Sequence, residues 1–240
     1  MKILFSDFDQ TLFFGPEADY APLRAAVARW QAAGNQFWIS TGRPLADLLP
    51  LFEPIGLKVD GFVAASGAML HRADGTLFWA APLPPELLDR VFDITCAVPV
   101  VRLLYVDAPL SIHRVTLGVR PPRPEALFWL GTKTDDAHEH ELTRRLRELP
   151  ELQISRQGAL YDLIARGTTK ATGIERAVEA IGGAEEIFTV GDGENDVEML
   201  SRFTGFAMRQ GHPSAQKAAK CVTDSVPELI DTILEKKNYS

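Results

Sequence analysis

Only two cysteines occur in the 240 residues, Cys96 and Cys221, far apart and in no CxxC arrangement. That scarcity argues against a disulfide-stapled secreted scaffold and leaves two ordinary reduced thiols. Long apolar runs are missing too, since no stretch approaches the ~20 residues needed to span a bilayer. Met1 and Lys2 lead straight into an apolar segment without the layout of a signal peptide. There is no Lys/Arg-rich run and the net charge is −7, which disfavours extended contact with nucleic acid or an anionic membrane. The expectation is a cytoplasmic protein whose partner is a small molecule. Asn238-Tyr239-Ser240 matches a glycosylation sequon, which without an export signal reads as accidental.

What is present is ordinary globular material, 46% hydrophobic and 24% charged, enough for a sizeable core in one or two domains. Four polar clusters stand out against it. The first, Asp7-Phe8-Asp9-Gln10-Thr11, follows the apolar run Lys2-Ile3-Leu4-Phe5-Ser6, which reads as a strand buried on both faces. In open α/β sheets, ligands sit beyond the carboxyl ends of such strands, where the strand order reverses. Two carboxylates at i and i+2 raise each other's pKa unless a cation is bound, and a divalent ion would let Asp7 stay ionised. An Asx-type turn after the strand is the competing reading of this cluster alone.

A second strand end shifts that balance. Glu186 to Val190 is again apolar and runs into Gly191-Asp192-Gly193-Glu194-Asn195-Asp196, with a helix expected from about 194 to 202. Magnesium takes octahedral oxygen ligands, commonly one or two carboxylates with water and phosphate, and Asp7 and Asp192 suit that role. The spacing of acidic residues in a calcium-binding EF-hand is absent. A third strand, 36 to 40, ends in Ser40-Thr41-Gly42-Arg43, where a hydroxyl and a glycine amide could meet a phosphate. Pro44 suits a first helical position, so Thr41 also reads as a helix cap. Lys170 precedes a helix from about 171 to 181, but the GxxxxGKS/T spacing of a nucleotide-binding P-loop is missing there.

Taken together, DxDxT at Asp7 to Thr11, TGRP at Thr41 to Pro44, the lysine before a helix at Lys170, and GDGENDVEML from Gly191 to Leu200 resemble the haloacid dehalogenase superfamily, specifically its Cof-type, subfamily IIB sugar phosphatases. The resemblance spans nearly the whole chain. It implies an α/β protein with a Rossmann-like parallel-sheet core and an inserted α+β cap of the C2 type. It implies Asp7 as nucleophile forming an aspartyl-phosphate, and Asp9 as the acid that protonates the leaving oxygen and then the base that activates water. Thr41, Gly42, Lys170 and Asn195 would hold the phosphoryl oxygens. Asp7, the Asp9 main-chain carbonyl and Asp192 would hold Mg2+, with Asp196 and Arg43 acting through these neighbours. The substrate class implied is a sugar phosphate or similar small phosphometabolite. A sugar phosphomutase of the phosphomannomutase type shares these motifs, and a phosphometabolite-binding protein with weakened turnover is a further alternative. Three positions depart from the Cof-type pattern: Gln10 replaces a glycine, Ser66 an asparagine, and Gln210 stands where an asparagine is common.

The element pattern places this machinery. Strands near 3–7, 36–40 and 61–65 alternate with helices at roughly 20–33 and 44–53, and Asp74-Gly75 marks a hairpin. Proline-rich 82–85 and Gly167-Thr168 bracket the insertion, dividing the chain into a core of residues 1–83 and 167–240 and a cap of residues 84–166. Inside it, the order αββαββ is expected, with strands near 100–106, 112–119, 152–156 and 159–165. Several polar residues there receive plain readings. His138 and His140 belong to a solvated helix face, Asp162 to a structural strand, and Trp30 and Trp129 to packing. Of Arg102, His113 and Arg114, alternation allows at most one of the adjacent pair to face the site.

Overall fold

The computed structural model describes residues 1–235, so the sequon at Asn238 lies outside the described residues. The chain opens with strands β1 (Lys2–Ser6), β2 (Gln36–Ser40), β3 (Gly61–Ala64), β4 (Met69–Arg72) and β5 (Leu77–Ala80), with helices α1 (Ala21–Ala32) and α2 (Leu45–Phe52) between them. The insertion follows as α3 (Leu87–Ala97), β6 (Arg102–Val106), β7 (His113–Arg114), β8 (Trp129–Lys133), α4 (Glu139–Leu146), β9 (Leu152–Gln157) and β10 (Leu160–Ala165). It closes with α5 (Lys170–Ala180), β11 (Glu186–Gly191), α6 (Val197–Arg202), β12 (Thr204–Met208), α7 (Pro213–Ala218), β13 (Cys221–Thr223) and α8 (Val226–Leu234).

The larger sheet runs β13-β12-β11-β1-β2-β3-β4-β5, parallel from β13 to β3 and antiparallel through the β4–β5 hairpin. Packing on both faces explains why the centre of β1, Ile3 to Phe5, is apolar. Leu4 packs with Leu23, Val27 and Trp30 of α1 and Leu229 and Ile230 of α8, whereas Ile3 and Phe5 pack with Ala171 and Ile174 of α5 on the other face. A strand covered on both sides is apolar except where a small hydroxyl such as Ser6 or Thr189 bonds to a backbone carbonyl. Strand order reverses between β1 and β11, so the ends that carry Asp7 and Asp192 meet at the crevice of the sheet.

The inserted sheet is antiparallel, in the order β7-β6-β8-β10-β9. Its outer face buries Leu103, Leu130, Tyr161 and Leu163 against α3 and α4. The opposite face meets the core, where Val106, Trp129 and Ile164 cluster with Ala65, Ala68 and Met69. Two expectations need correction. The strand expected over 112–119 shrinks to His113–Arg114, because the chain turns at Gly118 (φ 82°) and passes through Pro121, Pro122 and Pro124. In its place β8, which the sequence did not announce, forms the centre of the sheet, making the order αβββαββ. An internal glycine and preceding prolines disguise it, yet pairing on both edges stabilises it, and Gly131 leaves room for the Trp129 ring, which a Cβ there would meet at 2.0 Å. The helix expected from 194 also splits, into a 3-10 turn at Glu194–Asp196 and then α6.

Candidate active site

The centre of the site is a buried charge cluster. Asp7 extends the β1 ladder by one bond, its amide donating to the Val190 carbonyl at 2.9 Å, and its side chain is buried, the residue only 4% exposed. Lys170, 2% exposed, is the first residue of α5. A reciprocal cap fixes that helix start: Thr169 Oγ1 accepts from the Thr172 amide at 3.2 Å and Thr172 Oγ1 from the Thr169 amide at 2.9 Å. The Lys170 ammonium then donates to Asp7 Oδ1 and Asp196 Oδ1, each at 2.6 Å. The other oxygen of Asp196 accepts from the amides of Asp192 (3.0 Å) and Gly193 (2.9 Å), shaping the turn after β11. Asp192 Oδ1 accepts from Thr11 at 3.0 Å.

Asp7, Asp192 and Asp196 bring a carboxylate oxygen each within 4.8 Å of one another. Burial first, then the neighbouring Asp196 and Asp192 charges, push Asp7 well above the usual carboxylate range against the pull of Lys170. Burial and Asp196 likewise raise Asp192. Burial opposes the Lys170 charge, but Asp196 and Asp7 outweigh it and raise its pKa. Three carboxylates against one ammonium leave an excess of negative charge that a hard cation would relieve. The donor set fits such an ion. Asp196 has both oxygens engaged, which leaves Asp7 and Asp192 as the carboxylates best able to turn an oxygen toward it.

The second motif forms the adjoining wall. Arg43 donates from Nε and Nη2 to the two oxygens of Asp9 at 2.8 and 2.9 Å, and from Nη1 to Asp47 at 2.6 Å. The Asp9 hydrogen bonds raise the arginine's pKa against the opposing effect of burial. Thr41 does not cap α2; its Oγ1 accepts from the Arg43 amide at 3.2 Å, and Pro44 takes the cap position, one residue earlier than expected. Asp7, Asp9, Thr41, Gly42 and Arg43 all line one cavity of about 260 Å3. Lys170 and Asn195 border an adjacent cleft, where the Asn195 Oδ1 is buried without a hydrogen-bond partner.

The far wall of that cavity comes from the insertion, and Asp162, on the strand expected there, forms part of it. It lies on the core-facing side of β10, accepts a hydrogen bond from Ser66 Oγ at 2.7 Å across the gap, and stands 2.7 Å from where a Cβ on Gly42 would be. Burial pushes its pKa up to about 6, with the Ser66 bond and then the Lys170, Trp129 and Arg102 side chains opposing. The alternation of Leu160-Tyr161-Asp162-Leu163-Ile164 holds this signal, since Tyr161 and Leu163 go to the helix side and leave Asp162 to the core side. Trp129 lies on the same wall, 5% exposed, with its Nε1 in no hydrogen bond. His113 turns away to pair with Asp107 at 2.9 Å and stack on Tyr105. Arg114, opposite Leu104 in the register, is the one of that pair on the core-facing side. The unusual residues also meet partners: Gln210 Nε2 donates to the Gln10 carbonyl at 3.1 Å, and Gln10 and Ser66 hold positive φ of 60° and 53°.

A sequence profile of haloacid dehalogenase-like hydrolases matches residues 4–114 and 123–235. The chain belongs to that family. The match covers both sheets and every residue of the buried charge cluster. Phosphoglycolate phosphatase of Pyrobaculum aerophilum (strain ATCC 51768) is 25% identical over 228 residues, covering 93% of this chain and 89% of that protein. Among solved structures, the HAD subclass IIB sugar phosphatase BT4131 superposes with a TM-score of 0.80 at 24% identity, covering 97% of this chain and 99% of that one. BT1666 from Bacteroides thetaiotaomicron gives 0.78 at 22% identity, over 98% and 94%. At such identities these structures establish a shared fold: a Rossmann-like α/β core with an inserted α+β cap. Among the described residues no helix is long and apolar enough to cross a membrane.

Proposed function

We propose that the protein is a magnesium-dependent phosphomonoesterase that works through an aspartyl-phosphate on Asp7 and acts on sugar phosphates or similar small phosphometabolites. The observation that carries this reading is the buried Asp7 at the crevice of the sheet, held by Lys170 at 2.6 Å and faced by Asp192. A carboxylate so placed is oriented and shielded from bulk water, as a nucleophile requires. The names of the phosphoglycolate and sugar phosphatases agree with a small phosphomonoester.

Asp7, Asp192 and the main-chain carbonyl of Asp9 would hold Mg2+, whose charge would keep Asp7 ionised and offset charge on the phosphoryl oxygens. A carboxylate oxygen of Asp7 attacks phosphorus as the bond to the leaving oxygen breaks, and Asp9 gives that oxygen a proton. Asp9 then takes a proton from water as the water oxygen attacks phosphorus and the bond to Asp7 breaks. Thr41, the Gly42 amide, Lys170 and Asn195 would hold the equatorial oxygens, where charge spreads in a loose transition state. Arg43 sets where Asp9 waits, and one of its two bonds must loosen for a proton to pass. Asp196 positions Lys170 and the Asp192 turn. We take residues 84–166 as a cap that moves on the linkers beside residues 84 and 167, admitting substrate when open and excluding water when closed.

The decisive experiment measures phosphate release from a panel of sugar phosphates and smaller phosphomonoesters, with and without magnesium, for the protein and Asp7→Asn. Release that needs magnesium and disappears in Asp7→Asn supports the reading. Interconversion of sugar 1- and 6-phosphates without net release would replace it with a mutase.

A further inference from the structure

We infer that the part of the substrate that leaves with its oxygen carries an anionic group of its own, a carboxylate or second phosphate, and that Arg102 of the cap receives it. This inference deepens the phosphatase reading and rests on it for the identity of the reacting phosphoryl group.

Three observations lead there. In the cap sheet Arg102 pairs with Lys133, and Arg114 with Leu104, so all three cations project from the core-facing side, the side of Leu104 and Asp162. Of the three only Arg102 lines the cavity, since Lys133 and Arg114 are exposed and form no part of its wall. Next, Arg102 lines the cavity with its Nε buried and without a hydrogen-bond partner, and neither it nor Lys133 or Arg114 enters any ion pair of the described residues. This contrasts with Arg43, Arg90, Arg120, Arg144 and Arg156, all held by carboxylates. A buried donor without an acceptor is costly, and native folds tolerate one mainly where a ligand completes it. Finally, Trp129, only 5% exposed, sets its Nε1 in the same wall, where Asp162 is an acceptor within reach although no hydrogen bond of ordinary geometry forms. The unsatisfied Arg102 N–H, part of a permanent cation, calls for an acceptor with negative charge.

Asp162 is within reach of Trp129, whose N–H helps to hold its pKa down, but it does not pair with Arg102. It accepts Ser66 across the gap, and the Arg102 Nε stays without a hydrogen bond. The core side of the cavity cannot supply the acceptor either, because Asp9 and Asp47 are already taken by Arg43. Leu104, Ile112 and Leu160 close the remainder with apolar surface, and about 260 Å3 holds a compact metabolite rather than a polymer. With the phosphoryl group at Asp7, the opposite end of such a molecule falls against Arg102.

The test uses pairs of phosphomonoesters matched in size: 3-phosphoglycerate with glycerol 3-phosphate, 6-phosphogluconate with glucose 6-phosphate, and fructose 1,6-bisphosphate with fructose 6-phosphate. We expect kcat/KM to favour the anionic member of at least one pair by about tenfold or more, chiefly through KM, as for a charge-assisted hydrogen bond. Arg102→Gln should collapse that ratio toward one, and Arg102→Lys should restore part of it, which a merely structural role would not do. The first two pairs test a carboxylate and the third a second phosphate. Ratios at or below one in all three, or a ratio that Arg102→Gln leaves intact, would overturn the inference while Asp7-dependent release kept the phosphatase reading alive. The same pairs are titrated calorimetrically against Asp7→Asn, with and without Arg102→Gln. Discrimination in binding without turnover in the parent would sustain the anion site and sink the phosphatase reading, and equal binding of both members would sink the anion site.

Discussion

Arg43 closes on both carboxylate oxygens of Asp9, at 2.8 and 2.9 Å, while its third arm holds Asp47 at 2.6 Å. The planar fork fixes the position of the group proposed to carry the proton, which a lysine could not do with a single point charge. Arg43→Lys is therefore expected to lower kcat by about 10- to 100-fold, the cost of slight misplacement of a catalytic group, with a smaller change in KM. Steady-state kinetics on the best substrate of the panel checks it. Equal loss in KM alone would mean that Arg43 binds substrate and does not position Asp9.

The crowding of Asp7, Asp192 and Asp196 predicts how stability responds to pH. Asp7 and Asp192 are raised in the folded state, mainly by burial, so the folded protein binds more protons than the unfolded one above the ordinary carboxylate range. Their contribution to the stability of the metal-free protein then falls as pH rises from about 4 through the raised values, while His71, lowered by burial, works in the opposite sense near neutrality and is common to every variant compared. Magnesium should reverse much of the fall, and Asp192→Asn should flatten it. Thermal melts from pH 4 to 8, with EDTA and with magnesium, read the sign directly.

Strands buried on both faces are legible in the sequence because burial forces an unbroken apolar run, and the two that end in Asp7 and Asp192 therefore mark which end of the sheet carries the site. Lys170 is legible only through its motif. Nothing local marks a buried lysine, and its burial is decided by Asp7, 163 positions away, and Asp196. The strand Trp129–Lys133 stays hidden because Gly131 and the preceding prolines read as breakers, while its stability comes from neighbours on both edges. The strand that carries Asp162 is legible, but its place on the cavity wall is not, for a related reason. Alternation shows that a residue faces one side of a sheet, but not that the far side is a cavity opposite Asp7.

Lys170 itself gives a sharp test of the buried cluster. Lys170→Met leaves Asp7 and Asp196 buried without their ammonium. Breaking such a pair typically costs about 3–5 kcal/mol, and urea unfolding at neutral pH should show a loss of that order. Turnover should fall below detection, because the same ammonium is proposed to hold a phosphoryl oxygen. A variant of unchanged stability would show that the pair is not maintained in solution.

Gly42 tests the packing of cap against core. A Cβ added there would lie 2.7 Å from Asp162 Oδ2 and 3.4 Å from Ser66 Oγ, so Gly42→Ala must displace the contact between those two residues. Overpacking of this kind costs about 1–3 kcal/mol, here expressed against the closed cap and not the core fold. The expected outcome is a KM raised by about tenfold with little change in melting temperature. Kinetics and a melt on the same preparation separate the two.

The Gln10 turn addresses whether departures from the family pattern weaken the enzyme. Gln10 sits at φ 60°, where a side chain costs about 1–2 kcal/mol, while glycine loses about 0.5–1 kcal/mol through its freer unfolded chain. The terms nearly offset, so Gln10→Gly should change stability by about 1 kcal/mol or less. Its carbonyl still accepts from Gln210, so turnover should stay within about threefold. A rise of tenfold or more would identify Gln10 as a brake and favour the binding-protein alternative.

Asp162 links the anion site to pH. Its pKa, pushed up to about 6 chiefly by burial, means that it loses its proton as pH rises from 5 to 7, placing a negative charge on the wall that also carries Arg102. Above pH 6 that charge repels a substrate carboxylate held at Arg102, so KM for 3-phosphoglycerate should climb relative to glycerol 3-phosphate. The second ionisation of the phosphate, near pH 6, affects both substrates and cancels in the ratio. The carboxylate is already ionised throughout the range, so the remaining pH dependence belongs to the protein. In Asp162→Asn the ratio should be flat from pH 5 to 8 and should hold at or above its acid value. A ratio that keeps the same slope in Asp162→Asn would assign the titration to another group and remove Asp162 from substrate selection.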